Sequence, residues 1–165
     1  MVKGESNFPV LQGTVVILDL DRFKEYITQH GLNEYEPNIV TGTLSRLVSD
    51  LSSKHSGSIL YGLNWERGTE EAILVFPGMD PSDIQDDLLN LAREICSLGA
   101  SITIVASREP IVIPSKLTQR ELRRVFRRVY SILERLKRRG GGAVYVEGVI
   151  HRVCTNRLSG FEIKK

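Results

Sequence analysis

Cysteine is scarce in this chain. Cys96 and Cys154 are the only two, too few to imply a disulfide framework or a cysteine-rich zinc site. A reducing, cytoplasmic setting is therefore the expectation. Long apolar runs are missing as well, and no stretch approaches the roughly 18 residues of a transmembrane helix. The opening MVKGESNFPVLQG lacks the apolar h-region of a secretory signal. Charge of one sign is not in excess either. A formal net charge of +2 does not of itself announce a nucleic-acid partner. Internal repeats, low-complexity segments and a dividing linker are all absent. What remains is 165 residues, 41% hydrophobic and 25% charged, the make-up of one folded domain with a real core.

The pattern of apolar residues sets out the elements. TVVILD (14–19) is a nearly unbroken apolar run, as expected of a strand covered on both faces. RFKEYITQHG (22–31) reads as a short helix stopped by Gly31. Residues 38–57 carry Ile39, Val40, Leu44, Leu47, Val48 and Leu51 near helical spacing, between Pro37 and Gly57. SILYGLN (58–64) and EEAILVFPG (70–78), around a polar, glycine-bearing turn, read as an antiparallel hairpin. Residues 81–99 form the clearest helix, opened by Pro81 and Ser82, with acids in its first turn. SITIVAS (101–107) is a second buried strand. One long basic helix is predicted over 117–139, ended by Gly140–Gly142, and a strand over 143–149. The order β-α-α-β-β-α-β-α-β predicts an α+β fold, a split βαβ core with one antiparallel hairpin.

Acids stand where two of these strands would meet. Asp19 ends the first strand, and Glu70 and Glu71 begin the second arm of the hairpin. A metal site for nucleotide chemistry needs oxygen ligands from separate segments converging at one edge of a rigid sheet. Side chains alternate along a strand, so only one of the two glutamates can share a face with Asp19. Asp21, directly before RFKEYI, has two readings: a helix cap or a member of the same anionic group.

These residues resemble a known family. ILDLDRFK is similar to the first motif of the GGDEF diguanylate cyclases, a strand ending in D-x-D-x-F-K. RGTEEAILVFPG resembles their signature hairpin, with Gly68 and Thr69 on the two glycines, Glu70 and Glu71 on the acids, and Ala72 on the Phe. ERLKRRGGGAVYV resembles their closing lysine-glycine segment, with Lys137 and Gly140 on those positions. The resemblance spans roughly residues 13–147 and implies a ferredoxin-like palm, the fold of nucleotide cyclases and of archaeal GTP cyclohydrolase III. Residues 1–12 are then a lead-in, 13–149 the palm, and 150–165 a C-terminal extension with the makings of an edge hairpin.

The resemblance also implies chemistry. Asp19 and Glu70 would be carboxylate ligands of Mg²⁺ or Mn²⁺, with the Leu20 carbonyl as a backbone ligand. Glu71 would stand by the reacting group in a catalytic role. Asp21, Arg22, Phe23 and Lys24 at the start of the first helix, together with Lys137, would face the phosphates of a nucleoside triphosphate. GTP is slightly favoured among the bases. If two nucleotides are joined, two sites must face each other in a homodimer. Departures from the family fall on base recognition: Ile27 stands where its guanine-reading Asn belongs, NEYEPN offers no clear counterpart of the assisting Asp, Thr69 replaces a glycine, and Gly141 replaces an arginine.

The basic segment 116–139 has two readings of its own. Arg123, Arg124, Arg127 and Arg128 could line a stripe for RNA or DNA phosphates. Alternatively the face is solvated and balanced by the acidic 80–87 segment. Tyr61 and Trp65 flank the hairpin turn, where core packing is the expectation and base stacking the alternative. His30, His55 and His151 make no metal-ligand spacing with a cysteine. Gly140–Gly142 is a turn and not a phosphate-binding loop, because the strand-loop-helix context is reversed.

Overall fold

A computed structural model describes residues 11–154. The strands are β1 (Gln12–Leu20), β2 (Ser58–Tyr61), β3 (Glu71–Pro77), β4 (Ile102–Pro110), β5 (Ala143–Val146) and β6 (Val149–Arg152). The helices are α1 (Phe23–Gln29), α2 (Ile39–Lys54), α3 (Gln85–Ser97), α4 (Gln119–Val125) and α5 (Arg127–Arg138). A 3₁₀ turn over Pro81–Ile84 leads into α3. The sheet has six strands in the order β2-β3-β1-β4-β5-β6. Every pair is antiparallel except β4 and β5.

β1 lies inside the sheet, which explains its unbroken apolar run. Val16, Leu18 and Leu20 face a core built with α1, α2 and α3. Val15 and Ile17 face a second core closed by Leu122, Phe126, Val129 and Leu133 of α4 and α5. Each such side chain contributes on the order of 2 kcal/mol when buried. Asp19 follows Val15 and Ile17 in the alternation, and so belongs with the α4–α5 side.

Several boundaries differ from expectation for physical reasons. α2 stops at Lys54, well before Gly57, and starts at a capping box in which the Asn38 side chain accepts from Val40 and Thr41 amides. The basic helix is not continuous: at Phe126 the backbone leaves helical geometry (φ −105°, ψ 41°) and α5 begins anew. Phe126 is buried and packs in the second core with Leu122 before the break and Val129 after it. β5 and β6 form a tight hairpin through Glu147 and Gly148, whose φ values are +46° and +89°, the two-residue turn that suits twisted strands. β6 thus pairs back on β5; residues 155–165 of the expected extension lie outside the described residues.

The two cysteines are a correction. Cys96 on α3 and Cys154 after β6 are disulfide-bonded, 58 residues apart in the chain. Two are too few for a framework, yet enough for one staple. Among the described residues no helix is long and apolar enough to cross a membrane.

Candidate functional site

The acids gather where β1, β3 and the start of β4 end together. Asp19 stands opposite Glu71 in the β1–β3 ladder and opposite Thr103 in the β1–β4 ladder. Cross-strand partners share a face. Glu71 is therefore the same-face neighbour of Asp19, and Glu70 lies just outside the strand, where its carbonyl accepts the Leu20 amide at 3.0 Å. The sequence left open which glutamate this would be, and the resemblance favoured Glu70 as co-ligand. The register favours Glu71.

Electrostatics set these acids apart. Asp19 has its pKa raised above the ordinary aspartate value, first by burial and then by the charge of Asp21, against the lowering effect of Lys137. Glu71 is raised by burial, then by Asp19, with Glu70 adding to it. Glu70 is raised by burial and by Asp19 and Glu34, while Arg67 opposes. Three carboxylates thus feel one another through a partly desolvated edge, and none has its negative charge fully compensated.

Asp21 behaves differently. Its side chain is 3% exposed. One carboxylate oxygen accepts from Ser101 Oγ at 2.6 Å and the Gly142 amide at 2.9 Å. The other accepts from Thr103 Oγ1 at 2.7 Å and Lys137 Nζ at 2.9 Å. Asp21 does not cap α1: Arg22 holds the cap position in the left-handed region, with no side-chain cap bond. Nor does its amide face an anion, because it donates to the Ser101 carbonyl at 2.8 Å. Of the three glycines, Gly141 is the one this carboxylate requires. A Cβ on Gly141, whose φ is +68°, would lie 2.5 Å from Asp21 Cγ.

Lys137 joins the two arrangements. Its ammonium contacts Asp21 Oδ1 at 2.9 Å, the Leu20 carbonyl at 3.0 Å and Asp19 Oδ2 at 3.2 Å. It therefore sits on two of the oxygen donors that the resemblance assigns to a metal. Phe23 is buried in the core, so only its backbone could meet a ligand, whereas Arg22 and Lys24 are exposed.

α4 adds residues that the sequence reading did not bring here. Gln119 Nε2 donates to Glu71 Oε2 at 2.6 Å. The Arg123 guanidinium lies 4.5 Å from the centre of the Tyr130 ring, bonds Glu134 at 2.9 Å, and lowers the pKa of both Asp19 and Glu71. Burial, helped by the Glu71 charge, pushes the Tyr130 hydroxyl well above the usual phenol range. The available signal was the alternation of β1: a helix covering Val15 and Ile17 must also approach Asp19.

The hairpin turn explains Thr69. It is fully buried, and its Oγ1 lies 2.7 Å from Ser45 Oγ and accepts from the Asn64 amide. The Thr69 amide donates to the Thr41 carbonyl, so the turn is tied to α2. Gly68 cannot carry a Cβ there, because Thr41 Oγ1 would be 2.1 Å away. Tyr61 packs against the second core, but Trp65 is 62% exposed, against the expectation of core packing. Ile27 is core.

The basic segment is partly balanced, though not by the acidic 80–87 stretch. Arg124 pairs with Glu121 and Arg128 with Glu109. Asp80 instead holds Arg108, and Asp87 holds Lys54 and His55. Among the described residues, Arg127, Arg135, Arg138 and Arg139 have no carboxylate within ion-pair distance.

No family model and no curated protein matches the chain. Solved structures do. The chain is similar to the GGDEF domain of DgcB from Caulobacter crescentus, crystallised in complex with c-di-GMP, at 19% identity and a TM-score of 0.52. That match covers 82% of this chain and 78% of the other. It is also matched by the guanylyl cyclase Cya2, at 15% identity and a TM-score of 0.41, over 81% and 73% of the two chains. The chain has the α+β palm fold of GGDEF domains, reached with little of their sequence.

Proposed function

We propose that this protein binds a nucleoside triphosphate with a divalent cation at the Asp19–Glu71 edge and acts on its phosphates, as a nucleotidyl cyclase or a GTP-cyclohydrolase-like enzyme. One observation carries the reading. Asp19 and Glu71 are cross-strand partners whose ionised forms are both disfavoured by burial, with the Asp19 charge raising the Glu71 pKa further. A cation relieves both.

The donor set suits Mg²⁺ or Mn²⁺. Mg²⁺ keeps several waters and takes only one or two carboxylates beside phosphate oxygens. Among the described residues no group of three or more acidic, His or Cys side chains converges, and two carboxylates meet this modest demand. Asp19 and Glu71 would hold the ion, with Glu70 at the rim and the Leu20 carbonyl open to it once Lys137 turns away. When bound, the ion would neutralise charge building on the transferred phosphoryl group.

The protein's own residues supply the rest. Lys137 is long and flexible enough to swing its ammonium from the Leu20 carbonyl and Asp21 toward a triphosphate. Lys24, exposed in the first turn of α1, offers a second cation. Gln119 fixes the Glu71 carboxylate, and Arg123 offsets charge on the same side. Glu71, beside the reacting group, would take its catalytic role through the ion it helps to hold. The bound c-di-GMP of the DgcB structure supports nucleotides as the ligand class. If two nucleotides are joined, a homodimer with facing sites is required.

Incubation with each NTP and Mg²⁺ or Mn²⁺, followed by product separation, tests the reading. Turnover by the wild type that is lost in Asp19→Ala supports it; no turnover of any NTP discards the enzyme.

A second reading has its own support. Arg127, Arg135, Arg138 and Arg139, which have no carboxylate at ion-pair distance among the described residues, favour a polyanion contact, so a nucleotide sensor or nucleic-acid binder without turnover is the alternative. RNA or DNA affinity that collapses with salt is its signature.

A further inference from the structure

We propose that the Cys96–Cys154 disulfide is a redox-sensitive clamp on the acid edge, opened by a dithiol reductant. The inference rests on contacts alone and does not depend on the nucleotide reading. The bond ties the end of β6 to α3. From Cys154 a short chain of contacts leads to the site. The amides of Val153 and Cys154 both donate to the Gly142 carbonyl, at 3.0 and 3.1 Å. Gly142 is packed so closely that an added Cβ would lie 3.0 Å from the Cys154 carbonyl oxygen and 3.1 Å from Cys154 Cβ. On its other side the Gly142 amide donates to Asp21 Oδ2 at 2.9 Å. Asp21 in turn holds the Lys137 ammonium, which reaches Asp19. Arg152 adds a parallel link by donating to the Gly141 carbonyl at 3.1 Å.

Among the described residues β6 is a short edge strand with one neighbour, four residues long. Its far end is held by the pairing of Arg152 with Ala143 and by the Val153 and Cys154 amides on Gly142, and the disulfide adds the covalent tie to α3. Both cysteines are partly exposed, so a reductant can reach them. A thiolate of the dithiol attacks one sulfur and breaks the bond between Cys96 and Cys154, giving a mixed disulfide. The second thiol of the reductant resolves it. Two electrons and two protons end on Cys96 and Cys154 as thiols, and the reductant leaves as its own disulfide. Cys154 then no longer presses on Gly142, and the Asp21 carboxylate loses the backing of its amide donor.

The test is hydrogen exchange on the full chain, oxidised and after dithiothreitol, with thiols counted by maleimide labelling. Labelling of the native chain without reductant should modify neither cysteine. Reduction should speed exchange on the order of tenfold in peptides covering 140–146 and 19–22, while the β1–β3 ladder at 14–18 and 72–76 stays protected. Cys96→Ser should show the fast pattern in both conditions, and Cys154→Ser should match it. Three results would overturn the proposal: cysteines labelled without reductant, exchange unchanged by reduction, or a uniform rise across the whole sheet.

Discussion

Asp19 and Asp21 stand two residues apart on one strand end, yet they occupy opposite electrostatic worlds. Asp21 is almost completely buried and accepts four hydrogen bonds from Ser101, Thr103, Gly142 and Lys137. Asp19 has Lys137 alone at ion-pair distance among the described residues and faces Glu71 across the ladder. A satisfied buried carboxylate holds structure together. An under-compensated one at a sheet edge is the kind of group that a cation would relieve. The D-x-D pattern therefore holds one anchoring carboxylate and one that the proposed function assigns to binding, which a reading of spacing alone cannot separate.

The largest expected effect breaks the anchored side. Gly141→Ala drives a Cβ into the Asp21 carboxylate at a positive φ, and should cost about 4 kcal/mol in chemical denaturation. Asp21→Asn comes next, at about 3 kcal/mol, because Lys137 and the donors around it lose the buried charge they were arranged for. A variant of Asp21 as stable as wild type would dissolve the contrast. On the open side, Asp19→Ala should lower NTP turnover at least 100-fold while leaving the denaturation midpoint close to wild type.

A pH profile sharpens the comparison further. Glu71 has a raised pKa in the folded chain, so the folded state keeps a proton that the unfolded chain has released. Its stabilising contribution is present below the unfolded-state value and is lost as pH rises through the folded one. Glu71→Gln should therefore flatten the fall of stability above the ordinary glutamate range, measured by thermal unfolding across pH. The smallest effect belongs to Arg123→Ala, about 1 kcal/mol from the lost ring contact and a half-exposed ion pair.

How much of this was readable follows from where each contact originates. The buried runs of β1, β3 and β4 and the stripe of α3 are local patterns, so their elements and order were legible. The gathering of acids was legible too, since it needs only strand ends and an antiparallel pairing. The choice of Glu71 over Glu70 was not, because a one-residue shift in register reverses the answer. The fate of Asp21 was hidden for a different reason. Its partners come from about 80 and 121 positions away, and nothing local distinguishes a buried acceptor from a helix cap. The break at Phe126 depends on the sheet beneath it, and the cysteine pairing depends on α3 and β6 meeting in space. Base recognition left the weakest trace: Ile27 is core here, and no hydrogen-bonding residue at that position signals a base.

In the proposed site Asp19 and Glu71 would receive a cation together with a triphosphate. Calorimetric titration of a non-hydrolysable NTP with Mn²⁺ tests it most directly, in wild type, Asp19→Ala and Glu71→Gln. The account predicts saturable, Mn²⁺-dependent binding that weakens at least tenfold in both variants. Equal affinity in all three chains, or no binding to any, would contradict it.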